Sequence, residues 1–296
     1  MMRSGASMNT DNESAEGLYA IRRMASGEVE LALEWAAVEG WNPGLHDAQC
    51  FFAADPRGFF IGELNGAPVA CLSAVAYGDA LGFIGLYIVA PAFRGRGFGM
   101  RLWQAGMGYL GERNIGLDGV LAQQANYRRS GFRLAYRNIR FQGIGRERAG
   151  ASAGIVAASE VPFQRIVDYD GLVFSAARPG FLRLWLDQPG GIALVAPDTA
   201  GRVRGYGVLR ACQSGHKIGP LFADDEQIAD DLFTSLIAAV PGETVFLDVP
   251  EANPAAVALA RRHGMSSVFE TARMYTKTPP DVPLARVFGV TTFELG

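Results

Sequence analysis

The sequence predicts an α+β protein of two successive, similarly built domains, each an antiparallel meander of strands with helices around it. Three observations lead there. The chain has 296 residues, beyond the size at which one compact core is the usual solution, so two cores are expected. Three strand-like runs, 58–64, 68–77 and 81–89, follow one another, and the first two are joined by Asn65-Gly66, a pair suited to the two positive φ angles of a type I′ hairpin turn. The order of elements in the first half then recurs in the second, and repetition at about half the chain length marks a duplicated domain, not a short-period solenoid.

Composition bounds the function. Hydrophobic residues make up 49%, aromatic 10% and charged 19% of the chain, ample material to offset chain entropy. A formal net charge of -3 lacks the cationic excess with which a general nucleic-acid binder displaces counterions, so no nucleic-acid partner is expected. The positive charge is almost all arginine, Lys217 and Lys277 being the only lysines. Cys50, Cys71 and Cys212 are odd in number and have no C-x-x-C spacing, which suits neither a disulfide framework nor a zinc site. They read as small buried apolar residues in a reduced compartment. With no membrane-length apolar run and no signal-peptide core, a soluble cytoplasmic protein with a disordered leader over 1–17 is expected.

Past the leader, 18–24 reads as a strand and 28–38 as a helix, with Leu31, Trp35 and Val38 spaced as one inward stripe. Trp41-Asn42-Pro43-Gly44 is a turn by composition, and a short helix over 48–53 ends near Pro56. After the meander, Pro91 ends the third strand and a helix runs from 97 to 110. A strand at 118–122, a short helix at 124–130 and a strand at 132–141 close the first domain, 18–142. The glycine- and arginine-rich stretch 143–150 is the linker. The second domain, 151–278, reads as strand 155–159, helices 162–169 and 179–186, strands 191–196, 202–212 and 217–221, helix 224–239, strand 243–248, helix 253–262 and strand 265–277. The tail 279–296 carries little signal.

The chemistry lies in Tyr87 to Leu102: a strand, a proline turn, a glycine-rich loop and a helix start. Gly95, Gly97 and Gly99 let amides converge ahead of a helix N-terminus, an anion cradle to which Arg94 and Arg96 add charge-assisted bonds. Spacing separates it from other phosphate loops. A G-x-G-x-x-G frame needs glycine where Met100 or Leu102 stands, and a Walker loop needs a lysine the region lacks.

Val89-Ala90-Pro91, then Arg94-x-x-Gly97-x-Gly99 at a helix head, then a strand and Tyr127-Arg128-Arg129-Ser130-Gly131-Phe132, stand in the order of the GNAT superfamily, which residues 18–142 resemble. The resemblance implies tandem GNAT-like domains, each a mixed, mostly antiparallel twisted sheet flanked by helices. It implies that amides from Gly95 through Arg96, Gly97, Phe98 and Gly99 to Met100 hold the pyrophosphate of acetyl-CoA, that the Val89 backbone pairs with the pantetheine arm, and that Asn126 lies near the cofactor. Tyr127 matches the general acid that protonates the leaving thiolate. The general base stays open among Glu39, Asp47 and Glu63. Trp41 either walls an acceptor pocket or is a core residue of its turn; Glu39 and Asp47 join it as acceptor-site candidates. The histidines His46, His216 and His263 lack ligand spacing, and no metal is expected.

The second half repeats the pattern with losses. Ala260 stands where the tyrosine would, and Phe222-Ala223-Asp224-Asp225 replaces the glycine loop with acids that would repel a pyrophosphate. It therefore reads as a degenerate GNAT-like domain that covers the acceptor pocket, with Arg178, Trp185 and Tyr206 as contributors. The function expected is acetyl transfer from acetyl-CoA to a small-molecule amine by direct attack; the alternative is a non-catalytic acyl-CoA-binding sensor.

Overall fold

The computed structural model describes residues 18–147 and 154–296. The leader expected over 1–17, and residues 148–150 of the expected linker, lie outside them. The first half runs β1 (Tyr19–Arg23), α1 (Val29–Val38), α2 (Asp47–Ala54), β2 (Phe59–Leu64), β3 (Ala67–Tyr77), β4 (Leu81–Val89), α3 (Phe98–Leu110), β5 (Asn114–Val120), α4 (Gln124–Arg129) and β6 (Arg133–Ile144). The second runs β7 (Val156–Ala157), α5 (Phe163–Phe174), α6 (Pro179–Trp185), β8 (Ile192–Pro197), β9 (Val203–Ala211), β10 (His216–Ala223), α7 (Glu226–Ile237), β11 (Thr244–Pro250), α8 (Pro254–Arg262) and β12 (Ser266–Tyr275), and a short β13 (Val287–Gly289) follows.

The hairpin turn forms as its residues dictate, with φ of 53° at Asn65 and 81° at Gly66. β5 begins at Asn114, earlier than the expected 118, because its first residues pair in parallel with Leu81–Ile84 of β4. The stripe read on α1 is corrected. Its buried residues are Val29, Ala32, Leu33 and Ala36, while Val38 is exposed and Leu31 and Trp35 sit half-buried at the margin. Small Ala32 and Ala36 let that face approach the sheet closely.

All strands join one mixed, mostly antiparallel sheet in the order β1-β2-β3-β4-β5-β12-β6-β11-β10-β9-β8-β7, with β13 beside β10. Only β4–β5 and β10–β11 pair in parallel among the described residues. The order contains an exchange. β6 does not pair with β5; it lies between β12 and β11, and β12 lies between β5 and β6. Each half thus lends its last long strand to the other. Alternation along β3 shows how the faces divide: Cys71, Val75 and Tyr77 join a core shared by α1, α2, α5 and α6, whereas Ala70, Leu72 and Ala74 face the core under α3. A third core lies under α7 and α8. The halves keep separate cores on one face and share one on the other. The cysteines are all buried and free.

Two ion pairs fasten the exchange. Arg140 of β6 lies opposite Asp248 of β11 and grips it with two bonds of 2.7 and 2.8 Å; Arg273 of β12 lies opposite Asp118 of β5 and does the same at 2.9 and 2.6 Å. Both pairs are buried. Burial alone would push the Asp248 carboxyl up, but the adjacent Arg140 guanidinium more than offsets this and holds it below its ordinary 3.8. A depressed carboxyl stabilises the fold fully above its unfolded value, and this contribution is lost as pH falls through the folded value.

Asp248→Asn, which leaves a buried guanidinium uncompensated, is therefore expected to lower unfolding stability by about 3–5 kcal/mol in urea melts at pH 7, and to weaken the acid-dependent loss below the ordinary 3.8. Arg140→Met with Asp248→Leu should restore most of that stability; no recovery would show that the pair does more than satisfy its own charges.

Candidate active site

β4 and β5 pair only as far as Ile84 and Leu117. Beyond that point β4 bulges, with its register against β3 shifting between Cys71 and Ser73 and Leu86 forced to φ 46°. The strands splay, and a cleft of about 830 Å³ opens between them. Its walls include Tyr87 and Val89 of β4, the start of α3, Asp118 and Gly119 of β5, and Asn126 and Tyr127 of α4.

The glycine loop turns the chain from β4 into α3. Gly97 caps the helix at φ 82°, a left-handed conformation that costs other residues strain. Gly99 lies so close to β4 that a Cβ there would fall 2.6 Å from the Tyr87 hydroxyl and 2.8 Å from a Val89 methyl. The first turn of α3 has no side-chain cap and no acidic residue. Its amides, backed by the helix dipole, are oriented for an anion. Added Cβ atoms at Gly95 and Gly97 would meet nothing within 4 Å, so the loop faces open space.

The cleft gathers Glu39, Trp41, Val89, Arg94, Gly95, Gly97, Phe98, Gly99, Met100, Asn126 and Tyr127 from among the residues expected at the site. Arg94 is not free for a phosphate: its Nε donates to the Val89 carbonyl at 2.8 Å and its Nη2 pairs with Glu39. Arg96 does not line the cleft, and its guanidinium stands over the Phe98 ring at 5.0 Å. Asn126 sits in a chain of bonds with Gln123 and Arg129. Tyr127 packs beside Trp103, and burial pushes its phenol up to about 12, so it stays protonated at neutral pH.

Other expected residues lie elsewhere. Asp47 is buried, where it accepts from Arg210 at 2.9 Å and from the Gly44 amide at 2.8 Å. Glu63 of β2 pairs with Arg22 of β1 at the edge of the sheet. Arg178 is clasped by Asp170, Tyr206 donates to the same carboxylate, and Trp185 donates to the Gly219 carbonyl; all three are core residues. Conversely, Trp103, Asp118 and Arg129 line the cleft, as do Phe269, Thr271, Phe293 and Glu294 from the second half. Trp103 carried a signal, one turn beyond Gly99 on the same helix; the residues beyond 286 carried none.

The second half resolves its own splay differently. β10 and β11 pair only over residues 216–218 and 245–247, but β13 then adds to β10 and the Val290 amide bonds the Asp248 carbonyl. The chain itself fills the equivalent gap. The N-terminus of α7 is closed too, since the Asp225 side chain accepts from the Ile228 amide at 2.9 Å.

Fold and cleft together define a tandem acyltransferase: one unit twice over, with an open cleft in the first copy and a filled one in the second. Family models agree, matching residues 26–132 to the acetyltransferase (GNAT) family and 166–289 to an acetyltransferase (GNAT) domain. Holothin acyltransferase of Pseudoalteromonas sp. (strain SANK 73390) is 31% identical over 270 residues, 91% of this chain and 92% of that protein. Among solved structures, a putative acetyltransferase from Pyrococcus horikoshii aligns with a TM-score of 0.78 at 20% identity, covering 94% of this chain and 96% of its own. A tandem GNAT protein from the clavulanic acid biosynthesis pathway aligns at 0.61 and 15%, covering 89% and 100%. The chain belongs to the GNAT acetyltransferase family and is an acyltransferase.

Gly99→Val should force α3 away from β4 and lower stability by about 1–3 kcal/mol, read as a shifted thermal midpoint. An unchanged midpoint would mean that the helix has slack at this contact.

Proposed function

We propose that this protein is an acetyl-CoA-dependent N-acetyltransferase that acts on a small-molecule amine, with the first half catalytic and the second completing the acceptor pocket. The observation that carries this is the uncapped start of α3 opening on the same cleft as the Tyr127 phenol. Amides of residues 98–100 would hold the pyrophosphate, and β4 beyond Ile84, where its pairing with β5 ends, would receive the pantetheine arm. Arg94 serves in this reading as a clamp between Glu39 and the end of β4, while the helix amides and Arg129 meet the anion.

Acetyl-CoA supplies an acyl group on a thiol leaving group, and the protein's task is to manage protons and water around it. Burial holds the Tyr127 phenol up at about 12, so it is protonated when the thiolate leaves and has a proton to give. The acceptor is a small molecule in this reading, and holothin is a candidate because the 31% identical relative is a holothin acyltransferase. Its pocket is walled by Trp41 of the first half, together with Phe269 and Phe293 of the second.

Release of free thiol from acetyl-CoA, measured across a panel of amino acids, amino sugars, arylamines and holothin, tests the reaction. Tyr127→Phe should lower kcat by roughly 100-fold or more while acetyl-CoA affinity is kept. An unchanged kcat would remove the phenol from catalysis, and binding of acetyl-CoA without transfer to any amine would favour a sensor.

A further inference from the structure

Among the described residues, the acidic side chains that line the cleft are Glu39, Asp118 and Glu294. Two are engaged. Glu39 is paired with Arg94, and Asp118 takes both bonds of the Arg273 fork and a 2.8 Å bond from the Asn138 amide. Glu294 is different: 4% exposed, it has no hydrogen bond or ion pair among the described residues. Buried as it is, Glu294 lines the cleft, in a wall it shares with Thr271.

The segment that carries Glu294 is held on every side. The Phe293 ring lies under the Arg140 guanidinium at 4.8 Å, the Leu295 amide donates to Thr292 Oγ1 at 2.9 Å, and the Leu295 carbonyl accepts from the Tyr77 hydroxyl at 2.9 Å. Its main chain presses on β4 so closely that a Cβ on Gly85 would fall 2.1 Å from the Glu294 carbonyl oxygen. A carboxylate that is fixed in position, ionisable and unpartnered beside the bulge of β4 is placed to act on the acceptor.

We propose that Glu294, delivered from the second half, is the proton acceptor for the attacking amine in the cleft of the first, an assignment that rests on the acetyltransferase reading. The amine nitrogen forms a bond to the thioester carbonyl carbon. The nitrogen, now positively charged, gives one proton to the Glu294 carboxylate; the carbon–sulfur bond breaks, and the thiolate takes a proton from the Tyr127 phenol. Solvent then returns the proton from Glu294 to Tyr127, so that nitrogen has lost one proton and sulfur has gained one. Arg140 on β6 and Arg210 on β9 feel the charge of Glu294, and Glu39, Tyr87, Asp118 and Tyr127 line the same cleft.

The test is Glu294→Gln in the full chain, assayed with acetyl-CoA and the panel amine or holothin that the wild type acetylates fastest. Expected is a fall in kcat/KM of roughly 100-fold or more at pH 7, with acetyl-CoA Kd and Tm kept and the acidic limb of the pH–rate profile gone. Glu294→Asp should keep that limb at a reduced kcat, and it decides the matter if the glutamine variant does not fold. A wild-type rate and an intact limb in Glu294→Gln would overturn the assignment, as would loss of the limb in Glu39→Gln instead. A wild type that binds acetyl-CoA but acetylates nothing would fail at the transfer reading, before any variant is compared.

Discussion

The structure depends on two buried arginine–aspartate pairs that cross between its halves. Arg140–Asp248 and Arg273–Asp118 each join directly opposed residues of neighbouring strands, and each strand pair combines one strand from either half. Two-bond geometry and near-complete burial make these pairs costly to form and much costlier to break singly. They also set register. A slip of one residue would turn each arginine to the other face of the sheet and leave its carboxylate alone in the interior. The exchanged strands are thereby held in one alignment, and two similar units become one sheet.

That alignment brings one end of the cleft under the control of the second half. Arg140 donates to the Trp41 carbonyl at 2.8 Å and lies over both Phe269 and Phe293. The loop beyond Trp41 is stitched to β9 and β10: Asn42 exchanges two 2.9 Å bonds with the Ser214 backbone, and Lys217 donates to the Asn42 carbonyl. One guanidinium and one loop thus join the seam to the cleft wall. Either unit alone would lack part of that wall.

Local chemistry was legible in the sequence. Asn65-Gly66 dictates its turn, the glycine loop dictates the entry to α3, and the acids at 224 and 225, read as hostile to a pyrophosphate, stand at a helix end that Asp225 itself caps. What stayed hidden was non-local. Arg140 and Asp248 are 108 residues apart, and Arg273 and Asp118 are 155; no spacing rule links them. Asp47 and Glu39 looked alike as carboxylates near one loop, yet a buried arginine 163 residues away claimed the first. The residues beyond 286 gave no periodic signal because every one of them is buried, so no alternation of apolar and polar faces marks them.

The same geometry explains why only one of the two clefts is open. A parallel pair that splays leaves backbone groups without partners, and such groups must be satisfied by protein, water or ligand. In the second half β13 satisfies them, and Gly289 lets it in, since a Cβ there would fall 2.7 Å from Leu247. The chain then continues to the first half, where it meets β4 at Gly85 but does not pair along it. A single segment fills one gap as a strand and borders the other as a wall. Degeneracy of the second unit is therefore more than loss of a glycine loop: occupying that gap is what carries the segment to Glu294, so closing the second cleft helps to build the first.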